Sequence, residues 1–279
     1  MIKIVYWEGE NMKKLFILLM VMLTMFSLCS CKKKEETPAV FDPSAKSEGV
    51  MTYSEYAAAE LGSDVLIEGF VQGAQSYWQG AKFYVADPDG AYFVYCDGKG
   101  EDINISEEDY AKIVSSTDYK DGWKGICDGT KVQVKGVKSE WSGEVEISDA
   151  TVTILDSEKW VAEAEDVTSL LGTDALIEKM NKKVKFTDMT VEASKDAEGN
   201  DVAFLYNWDG SGEPGSDLYF NVSANGTTYN FVVESYLCYD GSDVYDGVEA
   251  LKIGDKLDLE GFLYWYNGAN PHITSITVK

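Results

Sequence analysis

The stretch Gly129-Thr-Lys-Val-Gln-Val-Lys-Gly-Val137 has a counterpart 125 residues later, Gly254-Asp-Lys-Leu-Asp-Leu-Glu-Gly-Phe262. Apolar and polar residues alternate in both stretches, which predicts strands with one buried face. A short turn follows each stretch, at residues 141–143 and 266–268, and another strand follows each turn. The spacing therefore predicts an internal repeat.

A β-hairpin is predicted upstream of each stretch. The hairpin turns are Asp89-Gly90 and Asn225-Gly226, and glycine suits such turns because it tolerates positive φ. A further strand precedes each hairpin, so each half of the chain has five predicted strands. They cover residues 65–71, the hairpin 83–95, 129–137 and 150–154, and then 184–191, the hairpin 218–232, 254–262 and 275–278.

Helices are predicted at the edges of this pattern. Thr52 and Glu55 form a capping box that opens a helix over residues 52–61, and residues 167–182 take the same place before the second half. Residues 106–114 have a helical start and helical spacing between the third and fourth strands. The corresponding segment, 234–251, is interrupted by glycine and is a poorer helix.

Five strands with a helix between the third and the fourth resemble an OB fold, and two such units resemble the tandem OB-like lipoproteins of bacterial envelopes. The resemblance implies an all-β fold with short helices, built as two tandem five-stranded Greek-key barrels over residues 51–155 and 156–279. It also implies that ligands bind strands two and three and the loops after strands one and four. A single larger β-sandwich is the alternative.

The N-terminal segment reads as a lipoprotein signal. Two lysines precede an apolar run over residues 15–28, which is too short to span a membrane comfortably. Leu28-Cys29-Ser30-Cys31 resembles the bacterial lipobox, which implies cleavage before Cys31 and lipid on its thiol. We therefore expect a signal peptide over 1–31 and an extracytoplasmic protein, lipid-anchored at the cell membrane or outer surface. An ordinary signal peptide is the alternative.

Two further segments flank this signal. Residues 1–11 precede the Met-Lys-Lys expected at the start of a signal, and we interpret them as a misannotated start. Residues 32–50 are rich in Lys, Glu, Pro, Ser and Ala, which predicts a flexible tether.

Charge restricts the partners that the sequence predicts. The chain has 24 Lys and no Arg against 48 acidic residues, a net charge of −24. Nucleic-acid binders use positive charge to neutralise phosphates. The composition therefore makes a nucleic-acid partner unlikely. We expect the protein to contact the membrane through its N-terminal lipid and to bind a glycan, a peptide or an envelope protein.

Residues for catalysis or metal binding are sparse. The one histidine, His272, is interpreted as a surface or strand-edge residue rather than as a general base. The cysteines and this histidine form no zinc pattern, and residues 207–218 imitate an EF-hand loop that ends in Leu instead of Glu. Carboxylate pairs such as Glu144 and Glu146 arise by chance in so acidic a chain. We predict no enzyme activity, no metal and no cofactor.

Cysteine use fits an exported protein. Cys96 follows the third strand and Cys127 precedes the fourth, so a disulfide between them is one prediction and two small buried thiols are the other. Cys238 has no obvious partner in the sequence.

Aromatic residues cluster in the loops that would bind ligands in the OB resemblance. Exposed rings there would stack on sugars or grip extended peptides. Core packing at the barrel ends is the alternative. The candidate ligand-binding residues are Tyr77, Trp78, Trp141, Tyr206, Trp208, Trp265 and Tyr266.

Together these patterns predict a non-catalytic, lipid-anchored binding or adaptor protein of the cell envelope. Its ligand is predicted to be a neutral glycan, a peptide or a protein. The alternatives are a nucleic-acid-binding OB-fold protein, which the fold suggests, and a structural or assembly subunit of the envelope.

Overall fold

Turn residues divide the first half of the chain into five strands, as the sequence predicts. The structure, a computed structural model, describes residues 41–73, 82–95 and 128–279. The strands are β1 Asp64–Gly73, β2 Lys82–Ala86, β3 Ala91–Tyr95, β4 Lys131–Trp141 and β5 Glu144–Ile154. They form a closed barrel in the order β1-β2-β3-β5-β4. The chain thus contains a five-stranded β-barrel.

The barrel closes where β3 and β5 run parallel, with Phe93 opposite Glu146. The remaining pairings are antiparallel. Gly136 sits where β4 passes β5, and a Cβ there would lie 2.6 Å from both Ile147 Cγ2 and the Ser148 carbonyl oxygen. Glycine at this position lets the strands approach closely.

A short helix, α1, covers Tyr53–Ala58 and is shorter than predicted. Its capping box is confirmed: Glu55 N donates to Thr52 Oγ1 at 3.2 Å, and Thr52 N donates to Glu55 Oε2 at 2.8 Å. Lys138 Nζ donates to three carbonyl oxygens at the other end of the helix. A strand lysine therefore satisfies the last carbonyl groups of α1.

The second half forms a sheet whose pairings repeat those of the barrel. Its strands are β6 Glu165–Asp166, β7 Lys183–Glu192, β8 Ser194–Lys195, β9 Asp201–Val202, β10 Leu205–Tyr206, β11 Leu218–Ala224, β12 Thr227–Val233, β13 Lys256–Phe262 and β14 His272–Val278. Seven of them lie in the order β10-β11-β12-β14-β13-β7-β6, and a further pairing joins β11 to β7. We call this the second sheet; β8 and β9 pair separately.

Helices in the second half differ from the prediction. The helix expected over 167–182 is replaced by two 3-10 helices, η1 Thr168–Leu170 and η2 Asp174–Lys179. Gly172, at φ +77°, lies between them and turns the chain out of a helical path. The glycine-interrupted segment does form a helix, α2 Asp243–Glu249, whose Tyr245 N donates to Ser242 Oγ at 3.3 Å. The helix predicted near 106–114 lies outside the described residues.

Two large apolar cores support these elements. One fills the barrel and includes Ile67, Phe83 and Tyr92, and the other lies within the second sheet beneath α2 and includes Phe220 and Phe231. A third, smaller cluster joins the two halves, and residues Asp42–Lys279 form one compact unit. Within the described residues, no helix has the length and apolarity that a membrane crossing requires.

Candidate functional site

Two turns from the two halves of the chain join each other. Asn267 N, in the β13–β14 connection, donates to the carbonyl oxygen of Ser142 in the β4–β5 turn at 2.7 Å. Gly143 lies against Trp265, since a Cβ there would be 2.9 Å from Trp265 Cδ1. We call these joined turns, residues 141–143 and 264–268, the turn platform.

The turn platform carries two exposed rings. Trp141 is 60% exposed and Tyr266 is 54% exposed, whereas Trp265 is partly buried and packs against the core of the second sheet. Trp141 comes from the barrel and Tyr266 from the second half, so the platform combines aromatic residues of both. Sequence reasoning named all three residues, but it placed them in separate loops.

The other candidate residues fall into two groups. Trp208 is 75% exposed in the turn after β10. Tyr206 is partly buried, packs against the core, and donates its hydroxyl to Glu249 Oε1 at 2.5 Å, so it corresponds to the core alternative. Tyr77, Trp78, Cys31, Cys96 and Cys127 lie outside the described residues. Cys238 is buried, with Sγ 3.8 Å from the Ile273 carbonyl oxygen.

Strands β11 and β12 present a polar outer face. Their inward residues, such as Phe220 and Phe231, lie in the core. The outward side chains form three cross-strand pairs, which are Tyr219–Val232, Asn221–Asn230 and Ser223–Thr228. Asn230 Nδ2 donates to Asn221 Oδ1 at 3.0 Å. We call this surface the open face; it is uncharged, and most of its side chains are partly or fully exposed.

Tyr219, at one end of the open face, interacts electrostatically with Tyr266 of the turn platform. Burial, together with the charges of Glu234 and Asp217 and the nearby Tyr266, raises the pKa of Tyr219. The proximity of Tyr266 and Tyr219 links the exposed rings to the polar strand pair.

The corresponding face of the barrel is closed. The outward pairs of β2 and β3 are Lys82–Tyr95, Tyr84–Phe93 and Ala86–Ala91. Tyr84 stacks on Phe262 of β13, with ring centroids 4.1 Å apart and planes at 11°. Phe93 meets Tyr264 edge to face at 5.3 Å. We call this surface the closed face and its contacts with the second sheet the junction.

A buried acid, Glu144, forms a hydrogen bond across the junction. Trp265 N donates to Glu144 Oε2 at 2.8 Å, and Asn181 Nδ2 donates to the neighbouring Val145 carbonyl oxygen at 3.1 Å. Glu144 Oε1 and Asn181 Oδ1 are buried and have no hydrogen-bond partner among the described residues. Burial raises the pKa of Glu144 to about 8, although the bond from Trp265 N and the nearby Asn181 amide oppose the shift. Glu144 is therefore mostly protonated at pH 7, a setting that its interpretation as one of a chance pair of carboxylates does not predict.

His272 also lies at the junction. Its Nδ1 is 2.9 Å from the Tyr84 hydroxyl, and its ring stacks on Tyr264 with centroids 4.3 Å apart. Burial, with a smaller contribution from Lys82, lowers the pKa of His272 to about 3. Of the two positions predicted for His272, the surface one is wrong, because the second sheet packs over β2 and β3, while the strand-edge one fits its place at the start of β14. The residue is only 2% exposed.

A second carboxylate, Glu234, lies 3.5 Å from His272 Nε2. Burial and repulsion from Asp217 raise the pKa of Glu234 to about 8, against attraction from Lys82. Lys82 Nζ in turn lies over the Tyr236 ring, 4.9 Å from its centroid. The junction therefore contains two neutral acids, a neutral histidine and a cation held against aromatic rings.

An exposed acidic group lies elsewhere. Carboxylate oxygens of Asp240, Asp246 and Glu249 lie within 4.8 Å of one another among the described residues. Exposed carboxylates gather in this way on acidic surfaces without a cation. The imitation EF-hand segment instead forms a turn in which Ser211 N donates to Asp209 Oδ1 at 3.0 Å.

Comparison with known proteins gives similarities to solved structures alone. The chain matches no protein-family model and no curated protein. It is similar to the p204 HINb domain, with 8% identity, a TM-score of 0.32, and 79% of this chain and 100% of that chain covered. It is also similar to the Ifi202 HINa domain in complex with 20-bp double-stranded DNA, with 14% identity, a TM-score of 0.30, and 78% and 98% covered.

A third similar structure is a Replication Protein A heterotrimer bound to single-stranded DNA, with 11% identity, a TM-score of 0.25, and 84% and 70% of the two chains covered. Two of these three structures hold DNA, which contradicts the prediction that a nucleic-acid partner is unlikely. Net charge averages over the whole surface, whereas a ligand contacts one face. At these identities and TM-scores, the similarities do not identify a ligand of this chain.

Proposed function

We propose that the protein is a non-catalytic, lipid-anchored binding protein of the bacterial envelope, built from two OB-like barrels in tandem. The second-sheet pairings β7-β11-β12-β14-β13-β7 follow the same circuit as β1-β2-β3-β5-β4-β1 in the barrel. The sequence repeat at Gly129 and Gly254 supports the same arrangement. The burial of His272 supports a binding role rather than a catalytic one.

The observation that carries the binding function is the pair of exposed rings on the turn platform. Trp141 and Tyr266 are held by a backbone hydrogen bond between their turns, so the platform is ordered before a ligand arrives. Preorganised rings lose little entropy on binding. In OB folds the loop after strand four and the faces of strands two and three bind ligands, and both turns of the platform follow the fourth strand of their repeat.

Single-stranded nucleic acid is the first ligand class to which we assign this surface. Bases stack on aromatic rings without sequence preference, and the asparagine pair Asn221–Asn230 offers hydrogen bonds along the open face. The protein's net charge of −24 repels phosphates. Binding by stacking against this repulsion should strengthen as salt screens it, which is opposite to the salt dependence of ordinary cationic binders.

A neutral glycan is the second candidate, and the uncharged open face favours it. Asn, Ser, Thr and Tyr side chains bond sugar hydroxyls, while Trp141 and Tyr266 suit stacking on sugar faces. Glycan binding should not vary with salt, because the ligand has no charge.

Anisotropy titrations of the full chain in detergent distinguish the two classes. The probes are a labelled oligothymidine and a panel of neutral oligosaccharides, each at low and high salt. We expect Trp141→Ala or Tyr266→Ala to weaken binding by about tenfold or more, the usual worth of one stacked base. Tyr239→Ala removes an exposed ring outside the platform and serves as the matched control. Binding that survives both platform variants, or no binding by either probe, would contradict the proposal.

The lipid anchor is tested separately. Metabolic labelling with a palmitate analogue should mark the wild-type chain and Cys29→Ser but not Cys31→Ser, because the lipobox resemblance places the lipid on the second cysteine. Equal labelling of all three chains would overturn the assignment of Cys31.

A further inference from the structure

We infer that the closed face of the barrel is a ligand-binding surface that the second sheet covers, and that a ligand can reach it when the junction opens. The barrel then has a stacking surface that is shielded by its own neighbour. The ligand of this surface rests on the proposed function, whereas the opening of the junction does not.

The closed face has the composition of a stacking surface. Its outward residues on β2 and β3 include Tyr84, Phe93 and Tyr95 together with Lys82. Aromatic rings with a cation on strands two and three are what an OB fold uses to bind single strands. Phe262 lies parallel to Tyr84 at 4.1 Å, the arrangement in which a base would stack. The Phe262 ring thus occupies a ligand's place.

The junction contains buried polar atoms without hydrogen-bond partners. Glu144 Oε1, Asn181 Oδ1 and His272 Nε2 are buried without a hydrogen-bond partner among the described residues. Leaving polar atoms unpaired in a buried interface is unfavourable, and opening returns them to water. Such interfaces open at lower free energy than a well-packed core.

The connector between the halves permits this opening. Ala162 N donates to Gln72 Oε1 on β1 at 2.8 Å, and Trp160 packs on Phe70, so the chain is fastened to the barrel through residue 162. From Glu165 onward it pairs with β7. Residues 163 and 164 therefore lie between the two attachments and provide a short hinge.

Ionisation at the junction would control the opening. Glu144 is faced by Trp265 N and Asn181, and its other titratable neighbours are Glu146, Tyr56, Tyr84 and Tyr264. Glu234 is faced by Asp217, Lys82, His272, Tyr219 and Tyr236. Both acids are neutral in the closed junction at neutral pH, because burial raises their pKa values to about 8. Opening exposes them to water, where they ionise.

Hydrogen exchange measures the opening directly. The amides of Trp265 and Asn267 donate across the junction, so their protection reports closure in the full chain without any ligand. With a closed pKa of about 8 and an open value near 4.5, raising the pH from about 6.5 to about 9 should favour opening by about thirtyfold per carboxyl. Protection factors, corrected for intrinsic rates, should fall by at least that amount.

The control is the double variant Glu144→Gln/Glu234→Gln, which cannot ionise and should keep its protection within about threefold over the same range. Core amides at Phe220 and Val134 should stay protected in both proteins, which separates opening from unfolding. Protection at Trp265 and Asn267 that does not change with pH, or that falls equally in the double variant, would overturn the inference.

The ligand arm uses the labelled oligothymidine at both pH values. Opening separates the two turns of the platform and exposes the closed face, so the bound oligothymidine should move from one surface to the other. A photoreactive 5-iodouracil in the probe should crosslink to Trp141 or Tyr266 at about pH 6.5 and to Tyr84 or Phe93 at about pH 9 in wild type, but only to the platform rings in the double variant. Loss of amide protection at about pH 9 without crosslinks to Tyr84 or Phe93 would overturn the assignment of the closed face as a ligand face. If the oligothymidine binds at neither pH, the proposed function fails while the exchange result on opening stands.

Discussion

The closed face and the open face occupy the same place in their repeats but have opposite character. At the centre of each hairpin lies one outward cross-strand pair, Tyr84–Phe93 on the barrel and Asn221–Asn230 on the second sheet. The aromatic pair is buried under Phe262 and Tyr264, whereas the two amides bond each other at the surface. One backbone geometry thus serves either as an internal interface or as an outer surface, and the side chains decide which.

The largest expected effect comes from making the closed face resemble the open one. Phe93→Asn removes a side chain that is 2% exposed and leaves an amide against Tyr264. Loss of a buried phenylalanine destabilises by about 3–5 kcal/mol, and an unpaired amide adds to that loss. Urea unfolding measures the change. A loss below about 1 kcal/mol would mean that the junction contributes little to stability.

A smaller effect is expected from the pH. Because the native chain keeps Glu144 and Glu234 protonated up to about pH 8 while the unfolded chain ionises them from about pH 4.5, stability should fall from about pH 4.5 to 8, most steeply above about pH 6.5. The slope is about 1.4 kcal/mol per pH unit for each carboxyl. Below pH 6.5, His272 acts in the opposite sense, because its native pKa of about 3 leaves it neutral while the unfolded state takes up a proton.

Glu144→Gln should reduce the fall of the unfolding free energy with pH by the contribution of one carboxyl. Urea unfolding at several pH values measures this change. Glu198→Gln, on an exposed turn, is the matched control and should leave the slope unchanged. An unaltered slope in Glu144→Gln would show that the buried acid is ionised in the native chain.

The sequence predicts the strands better than it predicts the junction. The turns at Asp89-Gly90 and Asn225-Gly226 and the capping box of α1 are local signals, and local chemistry determines them. Glu144 accepts a hydrogen bond from Trp265, 121 residues away, and the Tyr84 hydroxyl bonds with His272, 188 residues away. No periodicity within one half of the chain specifies such contacts.

One signal in the sequence could nevertheless have revealed the closed face. β2 and β3 are nearly continuous apolar runs, Phe83–Ala86 and Ala91–Val94, whereas β11 and β12 alternate with Asn, Ser and Thr. Continuous apolar strands indicate burial on both faces, and alternation indicates burial on one. The matching turns predict two equivalent hairpins, whereas the apolar and polar residue patterns of their strands distinguish them.

Glycines in two turns, one at the junction and one beside the open face, allow a further comparison, with differences in unfolding free energy of about 1 kcal/mol. Gly143 and Gly226 both have positive φ, at +92° and +80°, so Gly→Ala strains either turn by about 1 kcal/mol. A Cβ on Gly143 would also meet Trp265 at 2.9 Å, whereas one on Gly226 meets nothing within 4 Å. Gly143→Ala should therefore destabilise more than Gly226→Ala in urea unfolding. Equal losses of stability would mean that Trp265 moves away from the new Cβ with no measurable loss of free energy.

The smallest effect is expected from the reverse exchange, Asn230→Phe, which gives the open face the residue that matches Phe93 in register. Asn230 is exposed, so stability should change by no more than about 0.5 kcal/mol. The new ring would lie in water beside Asn221, and the enlarged apolar patch should promote self-association, measured by sedimentation. A loss of several kcal/mol would instead require a covered surface. The open face would then be an internal contact like the closed one, and the contrast between the two hairpins would disappear.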